Sequence, residues 1–378
     1  MQTETVNLIG STPGKSYQLT ALHFGPADGK KVYMQASLHG DELPGSLVSY
    51  YLHQALLKLE QENRLHARIV LVPFCNPIGL GQMVNYQHIG RFHLATAQNF
   101  NRLGPDFNLF EKLLKLIEQQ GISWSDNAAE NTELIRRYYL KRVIDDLTVI
   151  SETDSLHKTL LSWSYDADLV LDLHCDNHAV MHIYGMPDHW SKLEPLARYL
   201  GSHCQLLSED SGSNSFDEVL SSIWPRLRQQ FPDVPLELSC VSSTVEFRGE
   251  YDLSHEKASN DADAILQYLN QQGYLHLPVS QVKELPPLIR EPHPLEGLSY
   301  VAAPVAGVAV YLVDVGEWVE KGQAIVDILD PINLTKTTVS SPVDGVVFAH
   351  SAQRLARPER ILMSISSPVE HGHSGLSP

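Results

Sequence analysis

Short apolar runs alternate with stretches of helical periodicity through the first two thirds of the chain. Residues 31–38 and 69–72 have the composition of buried strands. Between them, apolar side chains recur at the spacing of one helix face: Leu47, Val48, Tyr51, Leu52, Ala55, Leu56 and Leu59. The pattern predicts a strand, helix, strand unit.

The same alternation continues further along. Residues 167–173, 179–184 and 243–247 are strand-like, and helical spacing occurs around 194–200 and 258–269. Continuous apolar strands that alternate with helices are typical of an α/β domain, so we predict a mixed, mostly buried sheet. Ligands of such sheets gather beyond the strand ends, which directs attention to the polar residues there.

Two further segments depart from this pattern. Residues 107–161 form a charge-rich block with helical spacing, which we interpret as an insertion that walls or covers the site. Residues 277–297 are rich in proline without sustained periodicity and predict a stiff linker. We therefore expect a first domain over 1–276 and a second over 298–378.

The second domain contains an internal repeat. Ala303-Pro304-Val305-Ala306-Gly307-Val308 recurs in kind as Ser341-Pro342-Val343-Asp344-Gly345-Val346, among short β runs with glycine-marked turns. This predicts a small all-β barrel or sandwich.

Composition narrows the class of protein. A chain of 378 residues exceeds what one hydrophobic core usually supports, in agreement with two domains. The net charge of −17 argues against general affinity for nucleic acid or anionic membranes. We find no run long enough to span a bilayer, no signal-peptide pattern in residues 1–25 and four widely spaced cysteines, so we expect a soluble cytoplasmic protein.

The sequence His39-Gly40-Asp41-Glu42, directly after the first predicted strand, places an imidazole and a carboxylate close together. His174 ends a later strand-like run. Two histidines and one glutamate predict a zinc site whose fourth position stays open for water, as in catalytic sites. The alternative is a loop histidine beside a glutamate that merely favours a helix N-terminus.

Three residues are suited to grip a substrate. Asn101 and Arg102, in Asn99-Phe100-Asn101-Arg102, offer an amide and a guanidinium that can hold a carboxylate, unless this is simply a polar loop. Arg91, in a loop rich in glycine and histidine, is suited to polarise a carbonyl or hold a second carboxylate, although a solvated arginine is the alternative.

Glu246 lies within an apolar strand-like segment, where an unpaired carboxylate is costly. It is a candidate general base, with a buried ion pair to Arg248 as the alternative. Asp172 shares a strand face with His174 and either orients that ligand or makes a structural hydrogen bond.

These motifs, in this order, resemble the succinylglutamate desuccinylase and aspartoacylase family, relatives of zinc carboxypeptidases of the M14 type. The resemblance implies a mixed sheet flanked by helices, with zinc bound by His39, Glu42 and His174. It implies that Glu246 is the catalytic base and that Arg91 contacts the scissile carbonyl oxygen. Asn101 and Arg102 would hold the substrate carboxylate. The further arginine found upstream of the catalytic glutamate in aspartoacylases has no counterpart in residues 235–240, and we consider Arg248 as its substitute.

The expected function is zinc-dependent hydrolysis of the amide bond of an N-acyl amino acid or a related small molecule. The alternatives are a zinc carboxypeptidase acting on peptides and a non-catalytic ligand-binding protein. We expect no nucleic-acid or membrane partner, and a homo-oligomer is compatible with the sequence.

The tail resembles biotinyl and lipoyl barrel-sandwich hybrid domains through the repeated Pro-x-x-Gly-x-Val pattern. Aligning the repeat places Leu334 at the hairpin tip where such carriers hold their modified lysine, and Lys336 lies two positions away. We therefore do not expect a swinging-arm carrier.

Overall fold

The computed structural model describes residues 1–212 and 214–371. Most strands of the first domain belong to one sheet, and its helices lie on both faces. The strands are β1 (Gln2–Ile9), β2 (Ser16–Phe24), β3 (Lys31–Ala36), β4 (Arg68–Val72), β5 (Met83–Val84), β6 (Gln87–His88), β7 (Leu169–Asp176), β8 (His178–Ala179), β9 (Met181–Gly185), β10 (Cys204–Leu207) and β11 (Val241–Gly249).

The helices are α1 (Pro44–Gln61), α2 (Pro77–Leu80), α3 (Leu109–Gln120), α4 (Ala128–Leu134), α5 (Lys141–Asp145), α6 (Glu152–Ser164), α7 (Trp190–Leu200), α8 (Phe216–Ser221), α9 (Ile223–Gln230) and α10 (His255–Gln271). A π-helical turn, Ile135–Leu140, joins α4 to α5. Within the described ranges, no helix is both long and apolar enough to cross a membrane.

The predicted mixed sheet is confirmed. Its nine strands follow the order β1-β2-β4-β3-β7-β11-β9-β10, with β12 (His293–Pro294) at the far edge. Strands β4, β3, β7 and β11 are mutually parallel, whereas β2 and β9 run antiparallel to their neighbours β4 and β11. One apolar core lies under α1, α7 and α10, and a second lies under α3 to α6, α8 and α9.

The segment 107–161 is helical, as its spacing predicts, but it does not cover the site. Its apolar side chains, including Leu113 and Ile117, pack into the core on one face of the sheet. Helix α6 supports the site from behind instead: His157 Nε2 lies 2.8 Å from the carbonyl oxygen of Phe100, and His93 Nε2 lies 2.8 Å from Glu152. The insertion thus holds the loop that contains residues 91–102.

The C-terminal region is rich in strands, as expected. They are β13 (Leu298–Ala302), β14 (Gly307–Tyr311), β15 (Trp318–Val319), β16 (Ala324–Asp330), β17 (Thr335–Ser340), β18 (Gly345–His350), β19 (Leu355–Ala356) and β20 (Ile361–Ser366). They form two sheets, ordered β13-β20-β18-β15 and β17-β16-β14-β19, around a shared apolar cluster. Leu334 lies exposed in the β16–β17 turn, and Lys336 contacts Asp327 at 3.3 Å. The likeness to carrier domains stays a prediction.

Each region gives a strand to a sheet of the other. Strand β8 pairs with β18 of the C-terminal region, and β12 from the proline-rich segment pairs with β10. Apolar residues of both regions, among them Leu206, Leu298 and Phe348, form one buried cluster between them. Part of the segment 277–297 is therefore a strand of the α/β sheet. The two domains proposed from the sequence are joined by a continuous apolar contact.

Candidate metal site and active-site cavity

The loop between β3 and α1 carries His39 and Glu42. Ser37 starts this loop with a positive φ of 59°, and its hydroxyl donates to the carbonyl oxygen of Glu42 at 2.9 Å. Gly40 packs against a second loop, because its N–H donates to the carbonyl oxygen of Gly90 at 2.9 Å. A Cβ at Gly90 would lie 2.3 Å from the Asp41 nitrogen, so only glycine permits this contact. The approach brings Arg91 beside the ligand loop.

His174 and Glu246 lie side by side on adjacent strands. The parallel pairing of β7 with β11 places Glu246 opposite His174, and the antiparallel pairing of β11 with β9 places it opposite His182. Directly paired residues point to the same face of a sheet. The sheet register therefore brings the predicted base next to the predicted ligand.

The three predicted ligands converge. Glu42 Oε1 lies 2.8 Å from His39 Nδ1, and Glu42 Oε2 lies 2.8 Å from His174 Nδ1. All three side chains are buried, and their candidate ligand atoms lie within 4.8 Å of one another. His39, Glu42 and His174 form a group that can hold a metal ion.

The hydrogen bonds around His39 fix which nitrogen carries its proton. Asn99 Oδ1 accepts the backbone N–H of Asn101 at 2.9 Å and also lies 2.8 Å from His39 Nε2. Because this atom accepts an N–H, it is the amide oxygen and has no proton to donate. The imidazole must therefore donate to it, so Nε2 of His39 carries the proton. Burial lowers the pKa of His39, which favours the neutral ring. The lone pair of Nδ1 then points at the Glu42 carboxylate.

His174 has the same arrangement. Its Nε2 lies 3.1 Å from Asp172 Oδ2, and Asp172 is buried and accepts from Gln35 Nε2 at 3.0 Å. Burial alone would lower the pKa of His174, but the Asp172 and Glu42 carboxylates outweigh it and raise that pKa well above its usual value. The Nδ1 atom of His174 is also aimed at Glu42, and its Nε2 atom lies on the side of Asp172.

Two imidazole nitrogens and a carboxylate that face one another at hydrogen-bond distance need a cation or a proton between them. In metal-ligating histidines, the ring nitrogen that does not bind the metal typically contacts an oxygen outside the ligand group. Burial opposes ionisation of Glu42, yet the charges of His39 and His174 hold the pKa of its carboxyl well below the usual value. The donor set therefore fits a divalent metal ion.

One carboxylate oxygen of Glu246 makes no hydrogen bond with the described residues. Its Oε2 atom is buried and finds no partner among the described residues. Burial raises the pKa of Glu246 well above its usual value, and the negative charge of Glu42 adds to this effect. A strongly basic carboxylate beside a metal-ligand cluster is suited to proton transfer.

The predicted substrate residues reach the same cavity, with one exception. Arg91, Asn101 and Arg102 line it, and Arg91 Nη1 lies 3.2 Å from Glu42 Oε1. Asn101 Oδ1 accepts the N–H of Phe216 at 2.9 Å, so this amide also anchors the start of α8.

Arg248 is the exception. Its guanidinium contacts the carboxylate of Asp261 on α10, with one N–O distance of 3.2 Å, and it is not among the residues that line the cavity. The positive φ of 64° at Arg248 accompanies an irregularity where β11 leaves β7. The structure therefore does not bring Arg248 to the position expected of a substituting arginine, and no buried ion pair joins it to Glu246 among the described residues.

The cavity measures about 710 Å³ and extends beyond the metal-ligand cluster. The C-terminal region supplies part of its wall, including Tyr300, Phe348, His350 and Arg360. Sequence reasoning did not find these residues, since nothing in their spacing ties them to the first domain. It also missed Asn99, which lies within a motif that drew attention to its neighbours, and Asp217, which lies at the start of a short helix without a recognisable motif.

Residues 28–208 match a family model described as the succinylglutamate desuccinylase/aspartoacylase catalytic domain. This segment contains the three clustered ligands and the loop of Arg91 and Arg102. This part of the chain is similar to the catalytic domain of the succinylglutamate desuccinylase/aspartoacylase family. The match supports a hydrolase of the deacylase type, and the three clustered side chains are able to hold a metal.

Solved structures resemble the chain over nearly its whole length. A succinylglutamate desuccinylase/aspartoacylase family protein from Shewanella amazonensis SB2B is 25% identical, with a TM-score of 0.81 and coverage of 97% of this chain and 99% of that one. A protein of the same description from Shewanella frigidimarina is 22% identical, with a TM-score of 0.78 and coverage of 97% of both chains.

The ectoine utilization protein EutE (DoeB) from Ruegeria pomeroyi is 16% identical, with a TM-score of 0.64 and coverage of 96% of this chain and 94% of that one. At 22% and 16% identity, the last two likenesses concern the fold alone. A search of curated proteins gave no match. The structural matches cover nearly the whole chain and therefore include its C-terminal strands. These structures thus share the combination of an α/β domain with a strand-rich C-terminal region.

Proposed function

We propose that the protein is a zinc-dependent hydrolase that cleaves the amide bond of an N-acyl amino acid or a related small molecule. The observation that carries the proposal is the convergence of His39, Glu42 and His174 beside Glu246, whose Oε2 atom is buried. Imidazole nitrogens and one carboxylate oxygen are the donors that zinc takes in hydrolases, with a position left open for water.

A zinc ion bound there would supply Lewis-acid activation of a water molecule and of the substrate carbonyl. Glu246 Oε2 accepts a proton from the attacking water and delivers it to the nitrogen of the leaving amine. The raised pKa of Glu246 supports this role, because a base exchanges protons best when its pKa is near the working pH.

Arg91 and Arg102 are the cationic groups of the first domain that face the cavity. Arg91 lies next to Glu42, where its guanidinium can stabilise negative charge that grows on the carbonyl oxygen. Arg102 and the Asn101 amide are suited to hold the carboxylate of the amino acid. Binding at this second point orients the amide bond towards Glu246.

The C-terminal wall supports a small substrate over a peptide. Tyr300, His350 and Arg360, from the C-terminal region, form part of the cavity wall. A peptide would need an open groove for the residues that precede its cleaved bond, whereas a short acyl group does not. We therefore place the deacylase before the carboxypeptidase.

The test is amine release by zinc-loaded protein from N-acyl amino acids with varied acyl groups, beside peptides that end in the same amino acids. Glu246→Gln should reduce turnover by about 10²–10⁴-fold while it still binds zinc. Glu256→Gln, at an exposed position on α10, serves as the matched control. Cleavage of peptides alone would support the carboxypeptidase, and turnover unaffected by Glu246→Gln or by zinc removal would refute the mechanism.

A further inference from the structure

The cavity has a polar arm that the catalytic groups do not use. Along β11, Ser242 and Thr244 precede Glu246 at alternate positions, and all three line the cavity. Alternate residues of a strand share one face, so the two hydroxyl side chains continue the row that begins at Glu246. We call the part of the cavity wall formed by Ser242, Thr244 and Asp217 the polar arm.

Helix α8 packs against β11 and brings Asp217 to this arm. The Asp217 side chain is buried, with 7% of the residue exposed. Its Oδ1 atom accepts from the hydroxyl of Ser215 at 3.0 Å. Burial raises the pKa of Asp217, and the nearby charge of Asp172 raises it further. Asp217 thus places a buried carboxyl group on the cavity wall, near Asp172.

The chemistry of the arm selects against an acidic side chain. A carboxylate and hydroxyl oxygens accept hydrogen bonds, and an ammonium group offers three donors and no acceptor. A second carboxylate would add like charge to a buried wall that already holds Asp217 and Glu218. Arg102 lines the same cavity and is suited to bind the substrate's α-carboxylate. Asp217 is suited to bind a positively charged group elsewhere on the substrate.

We propose that the polar arm binds a positively charged side chain, so that the preferred substrates are N-acyl derivatives of basic amino acids. Asp217 is the specificity-determining residue in this proposal. The inference rests on the proposed deacylase function, because it takes the amino acid to be the part held by Arg102. It also explains why residues 235–240 contain no arginine for an acidic side chain.

Asp217 has a competing explanation, in which it only stabilises the start of α8 and the charge of Arg102. Its contact with Ser215 and its effect on the pKa of Arg102 agree with that view. The two explanations differ in one measurable property. A structural aspartate affects all ligands alike, whereas a specificity residue changes the ratio between charged and neutral side chains of equal length.

The experiment measures binding of the free amino acids lysine, ornithine, norleucine and glutamate to the zinc-loaded protein by calorimetry. Lysine or ornithine should bind at least about tenfold more tightly than norleucine, and glutamate more weakly than norleucine. In Asp217→Asn the preference over norleucine should fall to about twofold or less, with norleucine affinity nearly unchanged. Asp210→Asn, in the segment that precedes α8 and outside the cavity lining, should keep the preference.

Turnover supplies the second arm, with Nα-acetyl-lysine, Nα-acetyl-norleucine and Nα-acetyl-glutamate compared in the wild type and in Asp217→Asn. Absence of turnover on every N-acyl compound would count against the proposed function, while the amino-acid binding ratios would still decide the role of Asp217. Equal binding of lysine and norleucine, tighter binding of glutamate, or an unchanged ratio in a folded Asp217→Asn protein would overturn the inference.

Discussion

Two oxygen atoms outside the ligand cluster control the histidines of the metal site. Asn99 Oδ1 lies 2.8 Å from His39 Nε2, and Asp172 Oδ2 lies 3.1 Å from His174 Nε2. In each histidine, Nδ1 is the ring nitrogen directed at Glu42. The protein thus sets the ring orientation before a metal arrives, which lowers the reorganisation that metal binding requires.

We predict that Asp172→Asn weakens zinc binding by about 10–100-fold, because the amide orients the imidazole of His174 less strongly and removes its partner charge. Competition with a chromophoric zinc chelator measures the affinity. Asp188→Asn changes an exposed aspartate in the same way and should have no effect. Equal zinc affinity in wild type and Asp172→Asn would show that the Asp172 contact has only a structural role.

The sequence predicts the inner residues of the site better than the outer ones. His39 and Glu42 lie in one short motif, and His174 and Glu246 each interrupt an apolar strand, where a charged group needs a reason. Asn99 and Asp217 act through partners that are distant in sequence. Arg248 shows the converse limit, since an arginine beside the base in sequence turns to Asp261 on another element.

At the scale of elements, the site depends on how closely two loops approach each other. The N–H of Gly40 meets the carbonyl oxygen of Gly90, and the N–H of Gly90 donates to Asp41 Oδ2 at 2.8 Å. These contacts join the loop of the first two ligands to the loop of Arg91. A substitution that separates them should affect both stability and metal binding.

Gly90→Ala tests that coupling. Its Cβ would lie 2.3 Å from the Asp41 nitrogen and 2.5 Å from the Gly40 carbonyl carbon, so backbone must move. We expect a loss of about 1–3 kcal/mol in the free energy of unfolding together with weaker zinc binding. Gly104→Ala is the matched control, because its Cβ meets nothing within 4 Å. Chemical denaturation measures the stability and zinc titration the metal affinity. Equal values for Gly90→Ala and Gly104→Ala would contradict the coupling of the two loops.

The pairing of β8 with β18 should respond to pH through His350. This histidine stacks on Tyr311 with ring centroids 4.0 Å apart and lies opposite His178 in the strand pair. Burial, with the charges of His178 and Arg354, lowers the pKa of His350 to about 4 from 6.5. Between these values the unfolded chain binds a proton that the native protein does not, so stability falls as pH falls.

We predict that His350→Gln reduces the stability lost between pH 7 and pH 5 by roughly 1–2 kcal/mol. Denaturant unfolding at the two pH values measures the difference. His66→Gln, at an exposed histidine in the first domain, is the control. An identical pH dependence in wild type and His350→Gln would remove His350 as the cause.

At the scale of the whole molecule, the site is shared between two regions that the sequence presents as separate. Periodicity located the strands and helices of the first domain closely; for example, the helix predicted over 258–269 is observed as His255–Gln271. It could not show that β8 and β12 cross between regions, because two-residue strands leave no periodic signal. The helical spacing of residues 107–161 led us to interpret them as a wall or cover of the site, whereas none of them lines the cavity and the C-terminal region supplies part of its wall.

This sharing predicts that the two regions unfold together. Leu298 has 1% of its surface exposed and lies in the apolar cluster between the regions. Loss of this contact exposes apolar surface on both sides, so neither region keeps its full stability alone. We expect a single calorimetric transition in which the calorimetric and van't Hoff enthalpies agree.

Leu298→Ala should lower the stability of that single transition by about 2–5 kcal/mol, because it leaves a cavity at the contact between the regions. Leu355→Ala removes the same atoms at a position that is 58% exposed and should change the transition little. Two resolved transitions in the wild type, or a shift of only one part of the transition in Leu298→Ala, would contradict the coupling. A coupled transition would mean that the C-terminal wall of the cavity is held in place by the stability of the whole chain, and that substrate selection by the cavity depends on a contact distant from the metal ligands in sequence.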